Sequence, residues 1–272
     1  MTRTEPLHPA LDRSQFPHLN GLIHLFIGGS ELHGAKVKNT DDLDIYGAYL
    51  EPPELALGLD RSDFYVWSTA GDKRRNGPDD IDVCLYSLRK WAGLAAKGNP
   101  TALHFLFAPN YATRPEAWEN ISRNKKLLLS RAAARQFRGF ADSQVRRVQG
   151  LGTGKKGQRH EFIDVYGYDV KAAMHIIRLL NEGIELMRAG TITLPRPEKE
   201  LLITIRTGQY GSLERVLSLA NELFLELEQA ESQSQLPETV DREAISRLVS
   251  ETYLRHWSAC SGISSSRATI DQ

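Results

Sequence analysis

The sequence predicts an α+β protein in which a mixed sheet flanked by helices comes first and an α-helical region follows. Segments rich in β-branched and aromatic residues, the composition typical of strands, lie before Pro100. After Pro100, apolar residues recur at every third or fourth position and no strong strand pattern returns. This change of period indicates two structurally different halves.

Three strands are predicted in the first half. Leu22–Ile27 is a short apolar run that ends in two glycines, as a buried strand often does. The second candidate, 44–50, is closed by a pair of prolines, which cannot continue a strand ladder. A loop over 70–80, rich in charged residues, glycine and proline, leads into the third candidate, Ile81–Ser87.

Helices are predicted for the remainder of the chain. The first begins at Leu88 and ends at Gly98, with Pro100 just beyond it. Apolar residues at helical spacing predict further helices over 115–148, 169–190, 198–207, 212–232 and 241–257. The serine-rich tail, 258–272, is expected to be frayed.

Composition sets the broad class of the protein. Hydrophobic residues at 41% and charged residues at 25% are typical of a globular chain, which excludes extensive disorder. No uncharged run approaches the ~20 residues that span a bilayer, and the N-terminal segment lacks the apolar core of a secretory signal. The two cysteines, Cys84 and Cys260, are too few for a disulfide framework or a structural zinc site. We therefore expect a protein of the reducing cytoplasm without a membrane partner.

The sharpest chemical feature follows the first strand, where the chain reads Gly28-Gly29-Ser30 and a short helix is expected from Glu31. Glycine lets the backbone approach a ligand closely, and a helix N-terminus offers N–H donors to an anion. A phosphate group is the ligand that such a turn is best suited to bind.

Carboxylates come next along the chain. Residues two apart on a strand share a face, so Asp42 and Asp44 are expected to converge while Leu43 turns into the core. Adjacent carboxylates repel each other, and a divalent cation between them is a common resolution. Asp82, near the start of the third strand, supplies another carboxylate. Taken singly, a Gly-Gly-Ser turn or an Asp-x-Asp strand end is usually structural, but their combination is much more specific.

The combination of GGS, a helix and DLD resembles the signature of the nucleotidyltransferase fold of the DNA polymerase beta superfamily. Three further segments, 87–107, 167–195 and 201–210, are similar to the bacterial and phage branch typified by RNA-repair-associated predicted nucleotidyltransferases. The resemblance extends from about Gly28 to Trp257. It implies a nucleotidyltransferase catalytic domain over 1–110 and a helical domain over 111–257 that closes the active-site cleft, followed by a flexible tail over 258–272.

The resemblance also implies roles for individual residues. Gly29 and Ser30 would hold the β- and γ-phosphates of a nucleoside triphosphate. Asp42 and Asp44 would ligate two Mg²⁺ ions, for which Mn²⁺ could substitute, and Asp82 would ligate the ion that activates the acceptor hydroxyl. Such an enzyme transfers a nucleoside monophosphate to the acceptor and releases pyrophosphate.

Three positions depart from a simple match or leave alternatives open. Asp41 stands where the family usually has serine, so Asp41 and Asp42 both compete for the metal, and the spacing from Asp44 favours Asp42. Asp80 lies two residues before Asp82 and would share its face if the strand extended that far, but Asp80 is expected to lie in the preceding loop. His104 stands where the family pattern leads us to expect an acidic residue.

The helix predicted over 169–190 carries a polar stripe. Lys171, His175 and Arg178 are spaced by four and three residues and therefore share one face. They could hold a triphosphate or stabilise transition-state charge, and the alternative is a solvated face of a packed helix. Arg206 is a further phosphate-binding candidate by the same resemblance.

Charge is segregated along the chain, although its sum is zero, with 34 Lys and Arg against 34 Asp and Glu. That zero at first disfavours nucleic-acid partners, which usually select a basic surface. Between residues 123 and 159, however, eleven basic residues accompany a single acid, Asp142, and acids gather instead around the carboxylate motif and over 214–251. The basic stretch is either a solvated face or a channel for RNA. The balance therefore does not exclude a nucleotide or RNA partner.

Three functions remain open at this point. The first is a Mg²⁺-dependent nucleotidyltransferase that uses a nucleoside triphosphate and acts on RNA, such as tRNA or a broken RNA end. The second transfers AMP to a protein hydroxyl, as in toxin–antitoxin pairs. The third is a non-catalytic nucleotide-binding regulatory module, which the complete set of Asp42, Asp44 and Asp82 disfavours. The nucleotide and the oligomeric state are left undetermined.

Overall fold

The computed structural model describes residues 7–37, 41–71, 77–151 and 159–267, with side chains through residue 259. Four strands form one mixed sheet in the order β1-β2-β4-β3. β2 and β4 are parallel, and the other two pairs are antiparallel. The strands are β1 (Leu22–Ile27), β2 (Leu43–Tyr49), β3 (Phe64–Ser68) and β4 (Ile81–Ser87).

The predicted α+β class is confirmed, and so are the bounds of β1 and β4. β2 begins and ends one residue before its predicted limits. β3, a five-residue edge strand, was not predicted. Phe64 and Val66 of β3 are more than half exposed, so this strand lacks the clear alternation of buried and exposed positions that marks a half-buried strand.

Short helices surround the sheet. α1 (Leu7–Ser14) covers one face through Leu7 and Leu11, which pack with inward residues of the strands. The other face packs against the main hydrophobic core, which continues into the helical half. The remaining helices of the first half are α2 (Gly29–His33), α3 (Pro53–Leu57), α4 (Leu88–Ala95) and α5 (Pro100–His104).

Within the described ranges, the second half forms seven helices together with the 3-10 turn Lys125–Leu128, which divides the single helix predicted over 115–148. They are α6 (Glu116–Arg123), α7 (Ala132–Val148), α8 (His160–Tyr166), α9 (Val170–Ala189), α10 (Lys199–Arg206), α11 (Leu213–Gln233) and α12 (Arg242–Arg267). Of these, the helix α8 was not predicted. α12 continues past the predicted end at Trp257, since no proline follows to stop it. None of the helices in the described ranges has the length and apolar character that crossing a bilayer requires.

α9 is the central helix of this half and packs against α7, α10 and α11. Its N-cap is Asp169, whose carboxylate accepts a hydrogen bond from the amide of Ala172 at 2.9 Å. Its C-cap is Gly190, in the left-handed conformation that ends many helices. Most of its side chains are buried, so its position relative to the sheet is firmly defined by packing.

α12 returns to the sheet and joins the two halves. The Tyr253 hydroxyl donates to the buried carboxylate of Glu51 at 2.5 Å, and Trp257 Nε1 donates to the Glu51 carbonyl at 3.0 Å. Glu51 follows β2 at the end opposite Asp44. The C-terminal helix is thereby attached to the far end of the strand that carries the carboxylate motif.

Replacing Tyr253 with phenylalanine tests this attachment. Tyr253→Phe deprives the buried Glu51 carboxylate of its hydroxyl donor, so the free energy of unfolding should fall by about 1–3 kcal/mol in urea denaturation. Tyr166→Phe, at a tyrosine that is 39% exposed, is the control and should change it by less than about 0.5 kcal/mol. Equal effects of the two substitutions would contradict a specific contribution from the Glu51 contact.

Candidate active site

Three carboxylates converge at one edge of the sheet. Asp44 on β2 and Asp82 on β4 are direct register partners on adjacent parallel strands, and Asp42 immediately precedes β2. Oxygen atoms of all three side chains lie within 4.8 Å of one another. The structure therefore places the carboxylates of Asp42, Asp44 and Asp82 together, as the alternation of strand residues predicts.

The carboxyl of Asp44 is buried beside two other carboxylates. Burial disfavours its charged form, and the neighbouring Asp42 and Asp82 add repulsion, whereas Lys171 acts in the opposite direction. The net effect raises the pKa of the Asp44 carboxyl to about 7. Negative charge at this edge therefore exceeds what nearby cations neutralise.

The glycine turn lies directly against Asp44. The amide of Gly28 donates to the Asp44 carbonyl at 2.8 Å, which ties the turn to β2. Gly29 has a φ of +56°, and a Cβ atom at this position would collide with the Asp44 carboxylate. α2 begins at Gly29, two residues before its predicted start, and spans only five residues.

Asp41 is not one of the three clustered carboxylates. It is buried, accepts a hydrogen bond from the Val37 amide at 3.1 Å and forms an ion pair with Arg206. Lys171 Nζ lies 3.8 Å from the same carboxylate. Burial opposes ionisation, but the Arg206 guanidinium and hydrogen bonds from Val37 and Ser30 hold the pKa of Asp41 below its ordinary value. Of the two competing residues, Asp42 thus joins the cluster and Asp41 bridges to the helical half.

Asp80 also lies outside the cluster, in the loop that the sequence predicts for it. Its carboxylate accepts hydrogen bonds from the Thr69 hydroxyl and from the Gly77 amide, each at 2.7 Å. Asp80 therefore closes the loop before β4, and Asp79 beside it is exposed.

A cavity of ≈ 210 Å³ separates the carboxylate edge from α9. Its lining brings together most of the residues singled out from the sequence, namely Gly28, Gly29, Ser30, Asp41, Asp42, Asp44, His104, Lys171, His175 and Arg178. Asp82 is not among its lining residues. The polar stripe of α9 therefore faces the carboxylate edge of the sheet instead of solvent. Arg206 does not line this cavity; it is bound to Asp41 and donates to the Ala35 carbonyl at 3.0 Å.

Burial changes the acid–base properties of two α9 residues. Burial, and then the nearby Arg206, lower the pKa of the Lys171 ammonium. Burial, and then Arg178 and Lys171, lower the pKa of His175 well below its ordinary value, so the imidazole is neutral. Its buried Nδ1 atom has no hydrogen-bond partner within the described part of the chain.

Arg178 belongs to a buried network that the sequence analysis did not find. Its Nη1 atom donates to both carboxylate oxygens of Glu182, at 2.9 and 3.0 Å, and to His33 Nε2 at 3.1 Å. His104 Nε2 lies 3.1 Å from the second Glu182 oxygen. His104, whose identity departs from the family pattern, thus has a definite partner. The i,i+4 spacing of Arg178 and Glu182 was the available signal in the sequence.

The basic stretch between residues 123 and 159 divides into different environments. Arg147 Nε and Arg159 Nη1 each lie 3.3 Å from the Asp169 carboxylate, so both help to cap α9. Arg135 and Arg146 are exposed on α7. Lys155 and Lys156 lie outside the described residues. Part of this stretch therefore has a structural role at the N-terminus of α9. Binding of RNA by the rest of the stretch stays a prediction.

A mixed sheet that presents three carboxylates and a glycine turn to a helical wall is the arrangement of a nucleotidyltransferase of the DNA polymerase beta type. The chain belongs to the RNA repair pathway DNA polymerase beta family (RlaP), whose family model matches residues 4–251. The family membership that the sequence motifs predict is therefore confirmed.

Comparison with solved structures finds similarity to the crystal structure of a nucleotidyltransferase-like protein from Exiguobacterium sibiricum 255-15. The two chains share 11% identity with a TM-score of 0.30, and the match covers 84% of this chain and 73% of the other. At this distance the similarity carries no argument about the site. Comparison with curated proteins finds no match.

A pair of glycine substitutions tests the close approach of the turn to Asp44. Gly29→Ala and Gly71→Ala both place a side chain at positive φ, but an added Cβ collides with Asp44 in the first and meets nothing within 4 Å in the second. Backbone strain alone should cost each variant about 1–2 kcal/mol. We expect Gly29→Ala to lose clearly more stability and also Mn²⁺ affinity, measured by denaturation and by Mn²⁺ titration. Indistinguishable variants would contradict this packing.

Stability should depend on pH through Asp44. In metal-free buffer, an unfolded aspartate releases its proton near pH 4, whereas Asp44 in the folded protein retains it until about pH 7. The folded state therefore binds more protons over this window, and the free energy of unfolding should fall by roughly 2–4 kcal/mol as pH rises through it. Asp44→Asn should remove this slope, and Asp79→Asn, at an exposed carboxylate, should retain it. An unchanged slope in Asp44→Asn would rule out Asp44 as the source.

Proposed function

We propose that the protein is a divalent-metal-dependent nucleotidyltransferase that transfers a nucleoside monophosphate from a nucleoside triphosphate to a hydroxyl group of RNA and releases pyrophosphate. The observation that carries this proposal is the convergence of Asp42, Asp44 and Asp82 beside the Gly28–Ser30 turn. The family to which the chain belongs supports the reaction class, and its description as an RNA repair family supports the acceptor.

The donor set fits Mg²⁺ or Mn²⁺. Asp42, Asp44 and Asp82 offer hard carboxylate oxygens within reach of a common point, and their mutual repulsion favours a cation among them. Bound there, divalent ions supply Lewis-acid chemistry that favours ionisation of the attacking hydroxyl and neutralises charge on the pyrophosphate. The position of Asp82 on β4, at the side of the cluster away from the glycine turn, suits it to face the acceptor hydroxyl.

The chain's own groups would bind the triphosphate from two sides. Gly29 and Ser30 contribute from the sheet side, where the absence of a side chain at Gly29 leaves room beside Asp44. Lys171, His175 and Arg178 contribute N–H donors from the α9 side of the same cavity. Arg206 does not line the cavity, and its ion pair with Asp41, which does, holds Asp41 near Lys171.

An RNA acceptor agrees with the exposed basic residues of the helical half. Arg135 and Arg146 on α7 are available to phosphate groups of a polynucleotide, whereas Arg147 and Arg159 are engaged with Asp169. Affinity for RNA that rests on such contacts falls as salt concentration rises.

A labelling experiment tests the function directly. The protein is incubated with each nucleoside triphosphate labelled at the α-phosphate, together with Mg²⁺, an RNA mixture containing tRNA and broken ends, and cell lysate. We expect label on RNA. Asp44→Asn should reduce the rate by about a thousandfold or more, because it removes a ligand from the charged centre of the reaction.

The control for that substitution is Asp79→Asn, which removes an exposed carboxylate near β4 and should leave labelling unchanged. Label that appears only on protein would contradict the RNA acceptor. Absence of any label, or normal labelling by Asp44→Asn, would contradict the catalytic assignment itself.

A further inference from the structure

We propose that Glu182 is a positioning residue that holds the Arg178 guanidinium so that its Nε and Nη2 edge binds one phosphate group of the triphosphate in a bidentate manner. This inference rests on the proposed function, since it concerns the same cavity. Glu182 itself does not line that cavity and acts through Arg178.

One side of the guanidinium is fully engaged. Nη1 donates to both oxygens of Glu182 and to His33 Nε2 at distances of 2.9 to 3.1 Å. Glu182 is completely buried, and an isolated buried carboxylate would be strongly destabilising. Burial opposes its ionisation, but Arg178, followed by His104 and His33, lowers the pKa of Glu182 well below its ordinary value, so it is a carboxylate.

The Nε and Nη2 donors of the guanidinium take no part in these hydrogen bonds. Among the residues that the structure describes, the buried Nε of Arg178 has no hydrogen-bond partner, and none of the hydrogen bonds of Arg178 involves Nη2. A buried donor without an acceptor is unfavourable, so a ligand oxygen that reaches it gains binding energy. The parallel N–H groups of Nε and Nη2 match two oxygens of one phosphate group. Arg178 lines the cavity opposite the carboxylate cluster, where a triphosphate held by Gly29 and Ser30 would extend.

His33, His104 and Glu182 also have the spacing of a metal site, with ligand atoms within 4.8 Å of one another. The contacts of Arg178 with these residues are incompatible with a metal site. A guanidinium can only donate, so His33 Nε2 accepts from it and the proton of the neutral ring lies on Nδ1, 3.1 Å from Glu182 Oε1. His33 Nδ1 then has no lone pair for a metal, and the guanidinium already occupies both Glu182 oxygens.

The test measures binding of inorganic tripolyphosphate and of a non-hydrolysable nucleoside triphosphate by calorimetry in the presence of Mg²⁺. Glu182→Gln removes a negative charge near the anion site, so electrostatics alone would tighten binding. Loss of the Arg178 alignment predicts the opposite sign, a dissociation constant that rises about tenfold or more for both ligands, as expected for a lost hydrogen bond to a charged group.

His104 supplies a second, milder test in case Glu182→Gln does not fold. His104→Leu removes the donor to Glu182 and should weaken tripolyphosphate binding, whereas His104→Gln retains an N–H at the corresponding place and should restore much of the affinity. Glu51→Gln is the matched control, because it removes a completely buried carboxylate remote from the cavity. It should lower stability and leave both dissociation constants unchanged.

Equal or tighter tripolyphosphate binding by Glu182→Gln would overturn the positioning role while leaving the proposed function standing. Stoichiometric Zn²⁺ binding by the wild-type protein that His104→Leu abolishes would also overturn it, because Glu182 would then serve a metal. Failure of the wild-type protein to bind either ligand would remove the proposed function and this inference together.

Discussion

Repulsion among Asp42, Asp44 and Asp82 is the constraint on which the rest of the site depends. The parallel pairing of β2 and β4 forces Asp44 and Asp82 side by side, and burial raises the cost of keeping Asp44 ionised. Cationic groups must therefore approach from elsewhere in the chain. Lys171 on α9 does so, and its contact with Asp41, which also binds Arg206 on α10, ties the helical half to the segment that leads into β2. The same contacts therefore place positive charge near the carboxylates and hold the two halves of the protein together.

The neutral total charge of the chain conceals a strong internal separation. One side of the cavity carries acidic groups, and the facing side of α9 carries Lys171, the neutral His175 and Arg178. Behind that side, Nη1 of Arg178 contacts His33 and the buried Glu182, and His104 contacts the same Glu182. Arg178 lines the cavity, and its Nε has no hydrogen-bond partner among the described residues. A triphosphate with its cations complements both sides at once, which explains how a protein with no net charge can offer a site for a highly charged ligand.

Local sequence patterns predicted the parts of the site that local physics determines. Strand alternation placed Asp42 and Asp44 on one face, and helical spacing placed Lys171, His175 and Arg178 on one stripe. Such local patterns do not predict contacts between segments that are distant in the sequence. The association of His33, His104 and Glu182 joins α2, α5 and α9, and no periodicity within any of the three helices encodes it. For the same reason Arg206, expected at the phosphates, is instead found bound to Asp41, and the short exposed strand β3 was missed.

The most direct test of the central claim is to locate the metal. Crystals grown with Mn²⁺ and a non-hydrolysable nucleoside triphosphate would give anomalous scattering at each manganese position. We expect Mn²⁺ among the carboxylates of Asp42, Asp44 and Asp82, with a phosphate group against Nε and Nη2 of Arg178. Manganese bound by His33, His104 and Glu182, with the carboxylate cluster empty in the same crystals, would contradict it.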